Sequence, residues 1–410
     1  MKKYTLFICT LLACLATQAQ TKMRIWQAGE DKVVSIAEAG EMKVDGSVIS
    51  IKGKSYQMSA IDSLIIVPQV DIIYNEGTAT VNIPAAVAKD VTATVNGAHV
   101  TINNKNVSNE CEFVLSGSSS NGSLTYNGSF KTTFVLNGLN LKSANSAALD
   151  IQCGKRVAMN LTPGTANVLE DGASGSQKAC LYCKGHLEVE GSGSLSITAN
   201  KSHGIATKEY LQLKKSTGNI TIVKSANDAI HAGQYFQMNG GTLTFDENTV
   251  ADGIQVDALL LDDDVTIDPN EEFNGQVIIK GGTIKGVIKN QDCKGIKCDG
   301  AITISGGTID LSANGNGSRG VQADGLVTIN EKDNTTLITI LAKGARCTLS
   351  ECEDDPHRCV GMKLDGGLRV EAGTLTVTAT GSKSRSIQVP VGGYTKTGGT
   401  VNATPGITEK

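Results

Sequence analysis

The chain has very little net charge for its length. Thirty-seven Lys and Arg against 41 Asp and Glu leave −4 over 410 residues, which excludes a nucleic-acid binder that works through a basic surface. Aromatic residues make up only 4%, too few to lay a broad flat plane against crystalline cellulose. No long helical period is present, and after residue 19 no apolar run approaches membrane-spanning length. No motif for a nucleotide, flavin or haem occurs, so none of these cofactors is expected. What is plentiful is Gly, at 46 residues, alongside the Val, Ile and Thr that suit strands.

The second half of the chain repeats itself. Each copy reads Gly-Ile-x-x-Asp-Gly, an alternating apolar strand, Gly-Gly-Thr and another alternating strand. Aligned on the residue before the recurring Ile, Val or Met, the copies fall at Cys180, Gly204, Ala229, Gly253, Gly295, Gly320, Gly361 and Ser386. The steps are 24, 25, 24, 42, 25, 41 and 25 residues. Gly281-Gly282-Thr283 splits the 42-residue step as 17 plus 25, with a further copy starting near Asn270, and the 41-residue step holds a Cys-rich insert from Cys347 to Cys359. Within a copy the period is two, so Ile296, Cys298, Ile302, Ile304, Ile309 and Leu311 point inward, and Lys297, Thr303 and Asp310 outward. Three short strands, with Asp-Gly and Gly-Gly bends that tolerate positive φ, describe one rung of a parallel β-helix, stacked about 4.8 Å from the next. A sandwich or barrel does not demand a 24–25-residue repeat with matched columns.

Residues 1–19 read as an export signal, with Lys2 and Lys3, an apolar stretch to Ala16, and Thr17-Gln18-Ala19 as the cleavage site. The protein is therefore expected outside the cell or on its surface, without a transmembrane segment. Leu11-Leu12-Ala13-Cys14 offers the alternative of a lipid anchor at Cys14. Nine cysteines follow Ala19, so at least one thiol stays unpaired. Cys183 and Cys298 fall in an inward column and read as small buried hydrophobes. Cys180 and Cys183 are expected on opposite faces of one strand, without the context of a redox motif.

Three regions follow the signal: a small β element at 23–70, less regular strands from 71, and regular rungs from about 146 to 404. The series Cys111 to Gly117, Lys131-Thr132-Thr133-Phe134-Val135-Leu136-Asn137-Gly138, Gly154 to Val157, Gly164 to Gly172 and His203-Gly204-Ile205 resembles the secreted carbohydrate-binding β-helix family. The likeness covers about 71–404. It implies an all-β, right-handed, single-stranded parallel β-helix that binds cellulose or acidic polysaccharides such as polygalacturonate, and a fold like that of polysaccharide lyases with bound calcium.

Several outward columns carry candidate chemistry. The column four residues after the alignment point reads Lys184, Lys208, Gly233, Asp257, Asp299, Asp324, Asp365 and Pro390, and its four carboxylates suit calcium through oxygen ligands or serve as ordinary turn residues. A denser acidic set runs from Asp246 and Glu247 through Asp262, Asp263, Asp264 and Asp268 to Glu271 and Glu272. Asp228 and Asp252 occupy the position before the alignment point on neighbouring rungs, and with Asp257 they form the leading calcium candidate. Two after the alignment point lie His231, Gln255, Lys297, Gln322 and Lys363, a polar strip able to meet the hydroxyls and carboxylates of an extended glycan. Tyr210 and Tyr235 share an outward position beside Gln212 and Gln237, and make either a small sugar platform or a stack for stability alone. In the Cys-rich insert, Glu353, Asp354, Asp355 and His357 are presented on a loop that two of its cysteines staple.

These columns and the resemblance give a non-catalytic polysaccharide-binding protein. Two other functions remain open: a calcium-dependent polysaccharide lyase, with Lys297, Lys363 or Arg319 as base, and a structural or adhesive surface protein.

Overall fold

The computed structural model describes residues 21–27, 30–35, 43–51, 54–331, 335–349 and 357–410. The export segment, Cys14, Glu353, Asp354 and Asp355 lie outside the described residues. The fold is all-β: among the described residues the one helical element is the short 3₁₀ turn Met58–Ala60.

Each repeat lays down three strands, and each strand pairs in parallel with its counterpart one repeat on. Along one face the partners are Leu181, Ile205, Ile230, Ile254, Ile296, Val321, Met362 and Ile387. A second face runs Leu187, Leu211, Phe236, Val277, Ile302, Val327, Leu368 and Tyr394. A third runs Leu195, Ile220, Leu243, Ile284, Ile309, Ile338, Leu375 and Val401. The chain thus winds in stacked coils, and the sequence columns coincide with the ladder register. The inward side chains form one continuous core, in which Ile296, Cys298, Ile302, Ile304, Ile309 and Leu311 are all buried.

The alignment column itself is held small by close approach. A Cβ on Gly253 would lie 2.2 Å from the Phe245 ring and 2.6 Å from the Gly295 carbonyl oxygen. One on Gly361 would lie 2.2 Å from Val377 and 2.6 Å from the Ser386 carbonyl. Cys180, in the same column, is therefore buried in the core together with Cys183 instead of facing away from it. Glycine serves two different needs at the bends. The second glycine of Gly-Gly-Thr takes positive φ, +91° at Gly282 and +92° at Gly307. The glycine of Asp-Gly does not: Gly300 and Gly325 are required because a Cβ would sit 2.8 Å from the Gly275 carbonyl and 2.6 Å from the Ala301 nitrogen.

Two long steps interrupt the period without breaking the ladder. Ile254–Val256 pairs directly with Lys294–Cys298, so no separate coil starts near Asn270. Residues 257–275 are an excursion inside a coil, and Gly281-Gly282-Thr283 is the second bend of the coil that began at Gly253. The Cys-rich insert likewise leaves after strand Leu337–Ala342 and returns before Val360–Leu364. Within it Cys347 is disulfide-bonded and Cys359 is a buried free thiol.

The N-terminal element is continuous with this architecture. Strand Ser63–Asn75 crosses the boundary expected at residue 70, pairing antiparallel with Thr21–Gln27 and parallel with Glu112–Ser119. It joins the first parallel strand to an antiparallel hairpin.

Gly253→Ala places a methyl group against both a ring and a fixed carbonyl. A loss of about 1–3 kcal/mol is expected from overpacking, measured as a lower denaturation midpoint, whereas Gly154→Ala, where a Cβ meets nothing within 4 Å, should leave the midpoint nearly unchanged.

Candidate functional site

A cleft of 720 Å³ opens on the outer side of the first face, crossing the coils of Cys180, Gly204, Ala229, Gly253 and Gly295. Its walls combine three lysines, Lys178, Lys294 and Lys297, with His203, His231, Gln255, Asn227, Asp228, Asp252, Asp257 and Asp292. Ladder register explains why they meet. The position before the alignment point reads His203, Asp228, Asp252, Lys294 and Arg319 on successive coils, and the position two after it contributes His231, Gln255 and Lys297.

Asp228 is the centre of the cluster. Its Oδ2 accepts from His231 Nδ1 at 3.2 Å and lies 3.1 Å from His203 Nδ1, while Oδ1 accepts from the Asp252 backbone N–H at 3.0 Å. The His203 contact is not a hydrogen bond: that ring nitrogen is buried with no hydrogen-bond partner. On its other side His231 holds Nε2 3.3 Å from Asp257 Oδ2, and Gln255 donates to Asp257 Oδ1 at 2.7 Å. The two imidazole rings lie 4.5 Å apart, tilted by 36°.

These contacts set the charge states. Burial acts to raise the Asp228 carboxyl, but the two histidines and the Asp252 N–H outweigh it and hold it at about 2. Burial acts to lower His231, and the hydrogen bonds and charges of Asp228 and Asp257 carry it to about 9 instead, an imidazolium at neutral pH. Asp257 is held low, its burial outweighed by His231 and Gln255. Asp252 goes the other way: burial pushes it up to about 6, with Lys294 opposing and Asp228 adding to the rise. Its Oδ1 accepts the Lys294 backbone N–H at 2.7 Å.

Asp228, Asp252 and Asp257 thus stand in one cleft, each already engaged by protein groups. With two imidazole nitrogens at its centre, the set does not fit calcium, which takes oxygen ligands. Asp299 and Asp324 lie further along the face. Asp299 accepts the N–H of Ala258, on the neighbouring coil, at 3.0 Å. Asp324 is raised by burial and then by the charges of Asp299 and Asp365, so these carboxylates do crowd one another, and oxygen ligands alone are what calcium takes. In the denser acidic set, Asp263 caps Val265 and Thr266, and Glu271 accepts from Gln234 at 3.0 Å.

Of the polar strip, His231, Gln255 and Lys297 line the cleft; Gln322 and Lys363 stand on later coils, where Lys363 donates to Asp365 at 2.7 Å. Tyr210 and Tyr235 do stack, at 4.6 Å and 17°. The stack is longer than the sequence suggests: His186 covers Tyr210 at 4.3 Å and Phe273 meets Tyr235 edge-on at 5.6 Å. Neighbouring coils cover both faces of Tyr210, and its hydroxyl donates to Glu188 at 2.9 Å, so ring edges and not a sugar-sized face point outward. Gln237 is buried and donates to Asn239; Gln212 accepts from Lys214. His357, from the Cys-rich insert, approaches Asp292 Oδ1 at 2.7 Å, and Arg319 Nη1 reaches the same oxygen at 3.0 Å.

The chain belongs to the family of carbohydrate-binding domain-containing proteins, whose model matches residues 96–406. A carbohydrate-binding domain-containing protein of Acetivibrio thermocellus is 33% identical over 101 residues, 23% of this chain and 35% of that one, so the match spans about a third of the relative. Among solved structures, a polysaccharide lyase-like protein from C. thermocellum, in a gadolinium derivative, superposes with a TM-score of 0.53 at 24% identity, over 66% of this chain and 99% of that one. The likeness is one of fold. No described helix is long and apolar enough to cross a membrane.

Asp228→Asn leaves the charged His231 with Asp257 alone and His203 with no carboxylate beside it. A cost of about 1–3 kcal/mol is expected at pH 7 in chelator-treated protein, below that of a fully unpaired buried charge because Asp257 remains. In a double-mutant cycle with His231→Gln that cost should shrink, because no unpaired ring charge then remains; additive losses would mean that the two groups do not act as a pair.

Proposed function

We propose that the protein is a non-catalytic polysaccharide-binding protein, and that its ligand is an acidic or plant-cell-wall-type glycan lying across the coils in the cleft of the first face. The observation that carries this reading is the cleft itself: lysines, amides and a charged histidine from successive coils at fixed spacing, inside the family-matched region. Lys178 and Lys297 suit glycan carboxylates through charge-assisted hydrogen bonds, Gln255 and Asn227 suit hydroxyls, and Lys294, whose Nζ donates to the Asp292 carbonyl at 2.5 Å, braces the wall. The tyrosine stack, its faces covered, belongs on this reading to stability. Calcium is assigned to the exposed ladder of Asp299, Asp324 and Asp365, where oxygen donors crowd.

The coils wind right-handed, as a parallel β-helix, since a parallel strand reached by a crossover is right-handed in about 98% of sheets. Residues 1–19 direct export to the cell exterior or surface, 23–70 close the end of the stack, and 71–404 carry the binding face.

Co-sedimentation with immobilised polygalacturonate, with cellulose as comparator, in calcium and then in excess chelator, tests the reading. Retention on polygalacturonate is expected, weakened about tenfold by Lys178→Ala with Lys297→Ala, as loss of charged hydrogen bonds would do. Retention on neither polymer overturns it in favour of an adhesive surface protein, and release of unsaturated oligosaccharides would make the protein a lyase.

A further inference from the structure

We propose that His203, Asp228 and His231 form a binding site for one divalent cation of the zinc class, distinct from any calcium site of the acidic ladder. The three side chains offer one donor atom each, all within 4.8 Å of one another. His203 and Asp228 come from equivalent positions of adjacent coils, and His231 stands three residues beyond Asp228, so the backbone ladder fixes the spacing before any ion arrives.

The chemistry of the donors selects the ion. Two imidazole nitrogens and a carboxylate are the ligands of borderline cations; calcium takes six to eight oxygens. The two nitrogen-to-oxygen separations, 3.1 and 3.2 Å, are close to the edge of a tetrahedron about 3.3 Å long that follows from metal–ligand bonds of roughly 2.0–2.1 Å. His203 Nδ1 is buried and makes no hydrogen bond, and it lies 3.1 Å from the oxygen a shared ion would use. Such an orphaned nitrogen is costly unless something else satisfies it.

The surroundings are those of a built metal site. Asp257 holds the far nitrogen of His231 and is itself held by Gln255, the carboxylate–histidine arrangement that orients a ligand ring. The second oxygen of Asp228 is fixed by the Asp252 N–H. The side chains of His203 and Asp228 are only 9% and 5% exposed, while His231, at 25%, borders the cleft. Three protein ligands beside an opening leave a coordination position for water or for an oxygen of a bound molecule.

Equilibrium dialysis of the untagged, chelator-treated protein against zinc, followed by metal analysis, reads the site without any glycan. One equivalent retained, not displaced by a hundredfold excess of calcium, is the expected result. Cobalt in place of zinc should give the visible absorption of a low-symmetry nitrogen–oxygen site. His203→Gln and His231→Gln should each abolish retention, and Asp257→Asn, which removes no ligand, should weaken it about 10–100-fold. Retention far below one equivalent, displacement by calcium, or undiminished binding in both histidine variants overturns the proposal. Should a histidine variant fail to fold, wild-type stoichiometry, calcium competition and Asp257→Asn decide. Polysaccharide retention lost with zinc binding intact would sink the glycan reading and leave this one standing.

Discussion

Register between coils is the constraint on which everything else depends. A parallel ladder brings the same position of successive repeats within about 4.8 Å, so each residue is chosen against its counterparts one coil before and after, 24 or 25 positions away wherever no excursion intervenes. Inside, this produces columns of Ile, Leu and Val. At the corner where Gly204, Gly253, Gly295, Gly320 and Gly361 stack, it leaves no room even for a Cβ, because the next coil's carbonyl oxygen lies 2.5–2.6 Å from where one would go. Outside, it turns the surface into columns of charge, in which like charges repel unless the neighbouring coil supplies the opposite sign.

That last consequence explains the cleft. The column His203, Asp228, Asp252, Lys294, Arg319 places acids in the middle and bases at the ends, and the neighbouring column adds His231 beside Asp228 and Lys297 near Asp252. Asp228 is flanked by histidines that outweigh its burial and is held low; Asp252 has no such partners and is pushed up by its burial. Two chemically identical residues on adjacent coils are therefore held in different states by the residues above and below them.

The parallel coils were legible because the period is short and nearly constant, and because the alternation within a copy assigns direction. Every inward residue named for the Gly295 copy is buried. The extra copy near Asn270 was a misreading with a clear origin: Gly281-Gly282-Thr283 marks a bend, and a bend recurs whether or not a new coil has begun. Only pairing of Ile254 with Ile296 distinguishes an excursion from a coil. The site was half legible. Asp228, Asp252, Asp257, His231, Gln255 and Lys297 could be placed on outward columns, but His203 was seen as part of a local motif and not as the coil-neighbour of Asp228. Reading that column two coils further would have disclosed Lys294 and Arg319 as well. His186 likewise precedes Tyr210 and Tyr235 in their own column, whereas Phe273 belongs to the excursion and has no periodic signal.

Both long excursions attach to the edges of the same face. Residues 257–275 leave directly after Asp257 and are tied back through Ala258 to Asp299 and through Glu271 to Gln234. The Cys-rich insert returns just before Val360, with His357 on Asp292 and Thr348 on Gln291. Neither disturbs the ladder, since each replaces a bend, where chain length is free, and leaves the strands, where it is not. A coil architecture can therefore add loops around a chosen stretch of face at little cost to the core. Here that stretch is the one whose columns carry His203, Asp228, His231 and the three lysines, so the irregular parts of the sequence and its densest polar chemistry fall at the same place on the molecule.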